Sequence, residues 1–293
     1  MAARIDFRSG LTSALRRAAR VLPVDSAFRQ RLSRCWDGVL KSMARYVTVP
    51  VAGRAVQLQV GLHHLDPNYE AEGLRIWLAL IRPGDTVWDV GANIGIYTLL
   101  AGQQTGPDGR VVAWEPGPAT HDILQGHIAA NGLSDRVRVI QAAIADQDGG
   151  VVQFSVSSAT EPDSTNRIGK KSDGGTIDVP VGTLDGWLDR LGSPPRLLKI
   201  DIEGAELLAL RGAARLLGPG GPRPAMLLAV HPMFLPEFGC APHEIAELLA
   251  EYGYDCRDLH GNPSPPTEYA EYLCVPSERS AEFAFVFDKG NNA

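Results

Sequence analysis

Between residues 86 and 142 three short apolar runs alternate with two helical patterns, and this rhythm constrains the chain more than any other feature. Residues 86–91 (TVWDVG), 110–115 (RVVAWE) and 137–142 read as buried strands, because strands covered on both faces are almost continuously apolar. Residues 93–101 and 119–131 read as the intervening helices, the second closing on Asn131-Gly132, a C-terminal stop signal. Strand, helix, strand, helix, strand at this spacing predicts one half of a doubly wound, mostly parallel α/β sheet.

The same spacing resumes downstream. Residues 196–201 (RLLKID) predict a strand, 204–217 a helix, 225–231 (AMLLAVH) a buried strand and 243–252 a helix ending at Gly253. Residues 254–259, 272–276 and 283–288 read as late strands that include an antiparallel edge. Residues 150–156 and 176–181 read as extra strands. Between them, 157–175 is rich in Ser, Asp, Gly and Lys and has no periodicity, so it is expected to form a substrate lid loop.

Upstream, residues 70–81 predict a helix stopped by Pro83-Gly84, and 47–60 alternate like a hairpin around Ala52-Gly53-Arg54. Residues 1–46 read as two short helices broken near 22–25. They hold ten Lys or Arg against three Asp or Glu, a balance of +7, which leaves −13 on the remainder of a chain of net −6. The expected organisation is therefore a basic helical appendage over 1–46 and a Rossmann-like domain over 47–293. The appendage is either a solvated helical face or a docking surface for an acidic partner or an anionic membrane. The overall negative charge speaks against nucleic acid as a partner, since neutralising phosphates needs clustered Lys and Arg. No apolar run is long enough to span a bilayer. Cys35, Cys240, Cys256 and Cys274 form no C-x-x-C pair and read as reduced thiols of a cytoplasmic protein.

The first candidate site is Asp89-Val90-Gly91-Ala92-Asn93-Ile94-Gly95, where the first strand turns into its helix. Ligands of open α/β sheets bind outside the carboxyl ends of the strands. The spacing G-x-x-x-G is neither the G-x-G-x-x-G of dinucleotide sites nor a P-loop. Glu115, at the end of the second strand, follows Gly95 by 20 residues and is placed to accept hydrogen bonds from two ribose hydroxyls. Residues 141–144 (QAAI) offer small apolar walls that suit an adenine ring, or else pack the core. In the run 199–206 (KIDIEGAE), Asp201 and Glu203 flank a strand end just before a helix, and His231 ends the next strand. His231 or Asp201 is the candidate base for a substrate hydroxyl, with Glu203 orienting it. A divalent cation on Asp201, Glu203 and His231 is a lesser alternative, because their spacing matches no strong metal motif, and no metal is assigned. His63, His64, His121, His127, His243 and His260 read as surface or satisfied core residues.

DVGANIGIYTLL at 89–100, WEP at 114–116, NGL at 131–133, TLDGWL at 183–188 and LLKIDIEGAE at 197–206 together resemble the FkbM family of methyltransferases, in that family's order. The resemblance runs from about residue 74 to 260. It implies a class I, Rossmann-like methyltransferase fold, S-adenosylmethionine as cofactor, and O-methylation of a small molecule or glycan such as a polyketide or sugar. By position it implies that Gly91, Asn93 and Gly95 meet the methionine part of the cofactor. Asp89 would lie near its amino group, Glu115 on the ribose and Ala143 near adenine, while Asp201 and Glu203 match the family's acidic pair. Two rivals remain at this level: an NAD-dependent oxidoreductase, disfavoured by the missing G-x-G-x-x-G, and a non-catalytic adaptor that binds S-adenosylmethionine and docks through the basic segment.

Overall fold

The computed structural model describes residues 44–62, 66, 69–156, 167–169 and 175–287. The basic stretch up to residue 43, with Cys35, and the pair His63-His64 lie outside the described residues. The chain forms two compact units, Met1–Tyr69 and Glu70–Ala293.

In the first unit β1 (Tyr46–Val51) and β2 (Arg54–Gln59) pair antiparallel, Val51 opposite Arg54. Ala52 and Gly53 turn between them with φ of 46° and 75°, positive at both central residues as a tight two-residue hairpin requires. The expected hairpin is present with its expected turn.

The second unit opens with α1 (Ala71–Leu80) and then alternates as its pattern predicts: β3 (Thr86–Val90), α2 (Ile96–Gln104), β4 (Arg110–Trp114), α3 (Pro118–Ala130), β5 (Val137–Ile140). β6 (Ala143–Ile144), β7 (Val151–Ser155), β8 (Thr176–Gly182) and α4 (Leu184–Leu191) follow. The chain then builds β9 (Leu197–Ile200), α5 (Glu206–Arg211), α6 (Ala214–Leu217), β10 (Ala225–Val230), α7 (Pro242–Glu251), β11 (Tyr254–Asp258), β12 (Ala270–Pro276) and α8 (Ser280–Phe283).

Seven strands form one sheet in the order β11-β12-β10-β9-β3-β4-β5. β10, β9, β3, β4 and β5 are mutually parallel, while β12 runs antiparallel to both of its neighbours. From β3 the chain winds outward through β4 and β5, then returns to β9 on the other side of β3. The strand order therefore reverses between β3 and β9, and the crevice outside their carboxyl ends is where such sheets bind ligands. This is the class I Rossmann-like sheet with an antiparallel edge that the sequence implied. β10 is buried at all six positions, which is why its sequence shows no alternation. Trp88 and Trp114 pack edge to face within the core, ring centres 5.1 Å apart, and Trp187 of α4 extends the contact. Among the described residues no helix is long and apolar enough to cross a membrane.

Several boundaries differ from the sequence expectation, each for a local reason. The helix expected from residue 93 starts at Ile96, because Asn93 and Gly95 take positive φ of 51° and 96° and make a turn. The third strand stops at Ile140. Ala143–Ile144 pairs with β8 in a separate sheet of order β6-β8-β7. The helix expected over 204–217 begins at Glu206 and breaks at Gly212-Ala213. The segment 183–188, unassigned from periodicity, opens an amphipathic helix whose N-cap Thr183 accepts the Gly186 N–H at 2.9 Å. The late strand expected over 283–288 is incorrect over its described residues: Ser280–Phe283 is helical and 284–287 continues as a tight helical turn. Phe283 and Val286 are buried three apart while Phe285 is exposed, a helical spacing that the F-A-F-V-F run disguises as alternation.

Of the expected lid, residues 167–169 and 175 are described. Ser155 N–H donates to the Arg167 carbonyl and Gly169 N–H to the Gln153 carbonyl, both at 2.8 Å, so 167–169 lies along the edge of β7. Cys256 and Cys274, 18 positions apart, are direct cross-strand partners with sulfurs 2.7 Å apart.

Candidate active site at the strand crossover

The loop after β3 is held from both sides. Gly91 and Ala92 donate their N–H groups to the Trp114 carbonyl at 3.0 and 2.9 Å, tying the turn to β4. A side chain at Gly91 would overlap the Asp201 carbonyl, and one at Gly95 would overlap Leu124; both residues have positive φ. The two glycines thus let β9 and α3 approach the turn closely. Asn93 stabilises its own left-handed backbone by accepting the Ile94 N–H on Oδ1 at 2.6 Å.

Glu115 reaches under this turn from the end of β4. Its Oε2 accepts the Asn93 N–H at 3.0 Å and its Oε1 the Gly117 N–H at 2.9 Å. Burial pushes its carboxyl up to about 7, against the pull of these two backbone donors. Asp89 is fully buried at the floor. Its Oδ2 accepts the Thr98 hydroxyl at 2.5 Å, and its Oδ1 has no hydrogen-bond partner among the described residues. Burial raises its pKa, while the Lys199 ammonium and the Thr98 hydroxyl oppose the rise. Ala143 is buried in β6, in an apolar cluster with Ala145, Phe154 and Val179.

On the other side of the crossover stand Asp201, Glu203 and His231. Asp201 follows β9 directly, and Glu203 sits two residues on with a left-handed φ of 52°, unusual for a side chain of this type. His231 follows β10. Its Nε2 is 3.9 Å from Asp201 Oδ1 and 3.7 Å from Glu203 Oε1. Its Nδ1 bonds to Glu206 Oε1 at 2.8 Å, and the same oxygen accepts the Gly204 N–H at 3.0 Å. Glu206 is fully buried at the start of α5. Asp201 Oδ2 is fixed by the buried Lys199, whose Nζ donates to it at 2.7 Å and lies 4.3 Å from the Tyr97 ring centre.

The charges divide the roles. Burial would raise the Asp201 pKa, but the Lys199 charge and hydrogen bond, with His231, hold it below the ordinary value. Burial raises Glu203, helped by Asp201 and Glu206 and opposed by His231 and Arg167. For His231 burial pulls down, yet the hydrogen bond and charge of Glu206, with Glu203 and Asp201, raise it overall. An aromatic rim flanks the imidazole: Phe234 stacks beside it at 6.2 Å and the exposed Tyr269 lies at 5.4 Å. Arg167 stacks over Phe234 at 3.7 Å and pairs with Glu237 at 3.0 Å, bringing the described part of the expected lid next to this rim.

Sequence reasoning named Asp89, Glu115, Asp201, Glu203 and His231 but gave no role to Lys199, Glu206, Tyr97, Arg167 or Glu271. Lys199 and Glu206 stand in the same run as Asp201 and could have been found from it: one precedes Asp201 by two residues, the other opens the helix. Glu271 reaches the cluster from the antiparallel β12, accepting the Tyr97 hydroxyl at 3.3 Å, and no local signal marks it.

Residues 89–256 match the family model for the methyltransferase FkbM domain. Methyltransferase sdnD of Sordaria araneosa is 28% identical over 156 residues, 42% of this chain and 58% of that protein. Hexuronic acid methyltransferase AglP of Haloferax volcanii is 26% identical over 64% of this chain and 70% of its own length. The 31-O-demethyl-FK506 methyltransferase FkbM of Streptomyces tacrolimicus is 44% identical over 71 residues, 24% of this chain and 25% of that protein. The chain thus spans little more than half the length of the first of these relatives and a quarter of the last. Among solved structures, an O-methyltransferase from Bacillus cereus in complex with SAH aligns with a TM-score of 0.44 at 14% identity, covering 90% of this chain and 97% of that one.

Proposed function

Because the chain belongs to the FkbM methyltransferase domain family, we propose that it is an S-adenosylmethionine-dependent O-methyltransferase acting on a hydroxyl of a small molecule or glycan. The observation that carries this reading is the meeting of His231 Nε2 with the Asp201 and Glu203 carboxylates, within 4 Å, at the ends of the two strands beside the glycine turn. Two relatives support the choice of acceptor through what they are named for, 31-O-demethyl-FK506 and hexuronic acid.

The turn suits the cofactor. Glu115 holds a carboxylate at the end of β4 with lone pairs beyond those given to Asn93 and Gly117, as two ribose hydroxyls require. The buried Asp89 Oδ1 lacks a donor among the described residues, which fits an amino group near the floor of the turn. Gly91, Asn93 and Gly95 would border the methionine part, and Ala143 the adenine. When bound, the cofactor supplies a methyl group already activated on a positive sulfur.

Little covalent work then falls to the protein. Its residues must place the acceptor oxygen in line and receive the proton that leaves as the new bond forms. The trio offers two carboxylates and an imidazole around one point. Lys199 keeps Asp201 ionised, and Glu206 fixes the His231 ring so that Nε2 faces the carboxylates. The aromatic rim of Phe234 and Tyr269 gives a ring-shaped acceptor an apolar wall.

The test is incubation of the full chain with isotopically labelled cofactor and a panel of hydroxylated macrolides and glycans, uronic acids included, followed by mass spectrometry. Label is expected on an acceptor oxygen together with S-adenosylhomocysteine. Single replacement of Asp201, Glu203 and His231 should lower turnover while cofactor still binds. Undiminished turnover in all three variants would overturn the assignment of the trio.

A further inference from the structure

We propose that Asp201, Glu203 and His231 form a binding site for a divalent cation of the Mn²⁺ class, through which the acceptor hydroxyl is held. As a role, this rests on the function proposed above; as a binding site, it stands on geometry alone.

The three residues each present one ligand atom, and these atoms all lie within 4.8 Å of one another. Ligands of a cation with bonds of about 2.0–2.2 Å sit roughly 3–4 Å apart. The separations from His231 Nε2, 3.9 Å to Asp201 and 3.7 Å to Glu203, are too long for hydrogen bonds and fall in that range.

The imidazole supplies the second, independent observation. Its side chain is only 7% exposed, and Nε2 points at the two carboxylates without a hydrogen bond to any described residue. A ring nitrogen of a nearly buried side chain, left without a protein hydrogen bond before two acids, is free to act as a ligand atom. The other nitrogen is committed: Nδ1–H donates to Glu206, which also accepts the Gly204 N–H. This carboxylate–imidazole pairing is the outer-shell arrangement that fixes a metal-binding histidine in the tautomer with a free Nε2 lone pair. Lys199 serves Asp201 likewise, occupying Oδ2 and leaving Oδ1 to face the imidazole.

The donor chemistry narrows the ion. Two carboxylates favour hard cations and one imidazole a transition ion, a combination that suits Mn²⁺ and accommodates Zn²⁺. Three protein ligands on strand ends leave positions open for water or an acceptor oxygen, as in sites where the metal acts on a substrate. A hydroxyl bound there would become more acidic and would give its proton to a water molecule beside the site as the methyl–oxygen bond forms and the methyl–sulfur bond breaks, so His231, as a ligand, would not be the base.

The experiment uses the full chain stripped with EDTA and dialysed, titrated with Mn²⁺ alone and followed by loss of the free-ion electron paramagnetic resonance signal, with Zn²⁺ as competitor. One equivalent is expected to bind at micromolar concentration. Glu203→Gln and His231→Gln should weaken it more than tenfold, and Glu206→Gln ten- to a hundredfold through the ring it orients. Glu115→Gln, on the other side of the crossover, should leave it unchanged. Circular dichroism identifies any variant that fails to fold, and the partly exposed Glu203 is the safest probe. No binding to the wild-type chain up to millimolar Mn²⁺, or equal binding in the folded Glu203 and Glu206 variants, overturns the site. Turnover of a hydroxyl acceptor at the same rate with and without EDTA overturns the cation's role and leaves O-methylation standing. Mn²⁺ binding lost on substitution, with no hydroxyl acceptor methylated, does the reverse.

Discussion

Lys199 donates to Asp201 from Nζ at 2.7 Å, and almost none of the lysine side chain is exposed. Its charge also faces Asp89 and Glu271, so one cation balances three buried or half-buried acids. Removing one partner of a buried ion pair leaves uncompensated charge and costs about 3–5 kcal/mol. Lys199→Met is expected to fall in that range in urea denaturation at pH 7. A loss under 1 kcal/mol would show that the acids do not depend on this lysine.

Gly91 in the crossover turn and Gly106 in the loop between α2 and β4 make a separate, steric prediction. Gly91→Ala forces a methyl group onto the Asp201 carbonyl at a φ of 84°. Gly106→Ala meets nothing within 4 Å, at a similar φ of 70°. The second change carries only the backbone cost of a left-handed alanine, about 1–2 kcal/mol. The first adds an overlap with backbone that can be relieved only by moving β9 away from β3. Gly91→Ala should therefore lower the melting temperature well beyond Gly106→Ala, and equal melting temperatures would refute the close approach.

Two buried glutamates tie stability to pH. Burial pushes both Glu115 and Glu271 up to about 7, from an ordinary 4.5. Between these values the unfolded chain has released its protons and the folded chain keeps them. These groups therefore favour the fold at low pH, and their contribution is lost as pH rises from about 4.5 through about 7. The change is at most about 3 kcal/mol for each group. Glu271→Gln retains an oxygen for the Tyr97 hydroxyl and cannot ionise. Melting temperatures measured between pH 4.5 and 8 should fall less steeply for this variant than for the wild type, and parallel curves would contradict the raised value.

The sheet was legible because burial on both faces writes itself into β3, β4, β9 and β10 as nearly continuous apolar runs, interrupted inside the strands only by Asp89 and Lys199, and because Gly91, Gly95 and Glu115 follow strand ends. What could not be read lies where tertiary contacts overrule local pattern. Nothing local says that Ala143 leaves the main sheet to pair with Val181, or that Phe283 and Val286 bury a helical face. The approach of Asp201, Glu203 and His231 followed from their places at adjacent strand ends. Their support by Glu206 and Lys199 needs the path of α5 and the depth of β9, and Glu271 enters only because β12 inserts antiparallel between β10 and β11.

Glu115 gives the sharpest test of the cofactor assignment. Its two carboxylate oxygens accept the Asn93 and Gly117 N–H groups, at 3.0 and 2.9 Å, and their remaining lone pairs are assigned to the ribose. In Glu115→Gln the amide has a single acceptor oxygen, so its NH₂ group must face either a backbone N–H or a ribose hydroxyl. A hydrogen bond to a charged group contributes about 1.5–3 kcal/mol, which predicts roughly ten- to a hundredfold weaker binding of S-adenosylhomocysteine by calorimetry at pH 8. Adenosine carries the same ribose and should weaken by a similar factor. If S-adenosylhomocysteine weakened while adenosine did not, the carboxylate would be acting on the amino-acid end of the ligand, and the ribose assignment would fall.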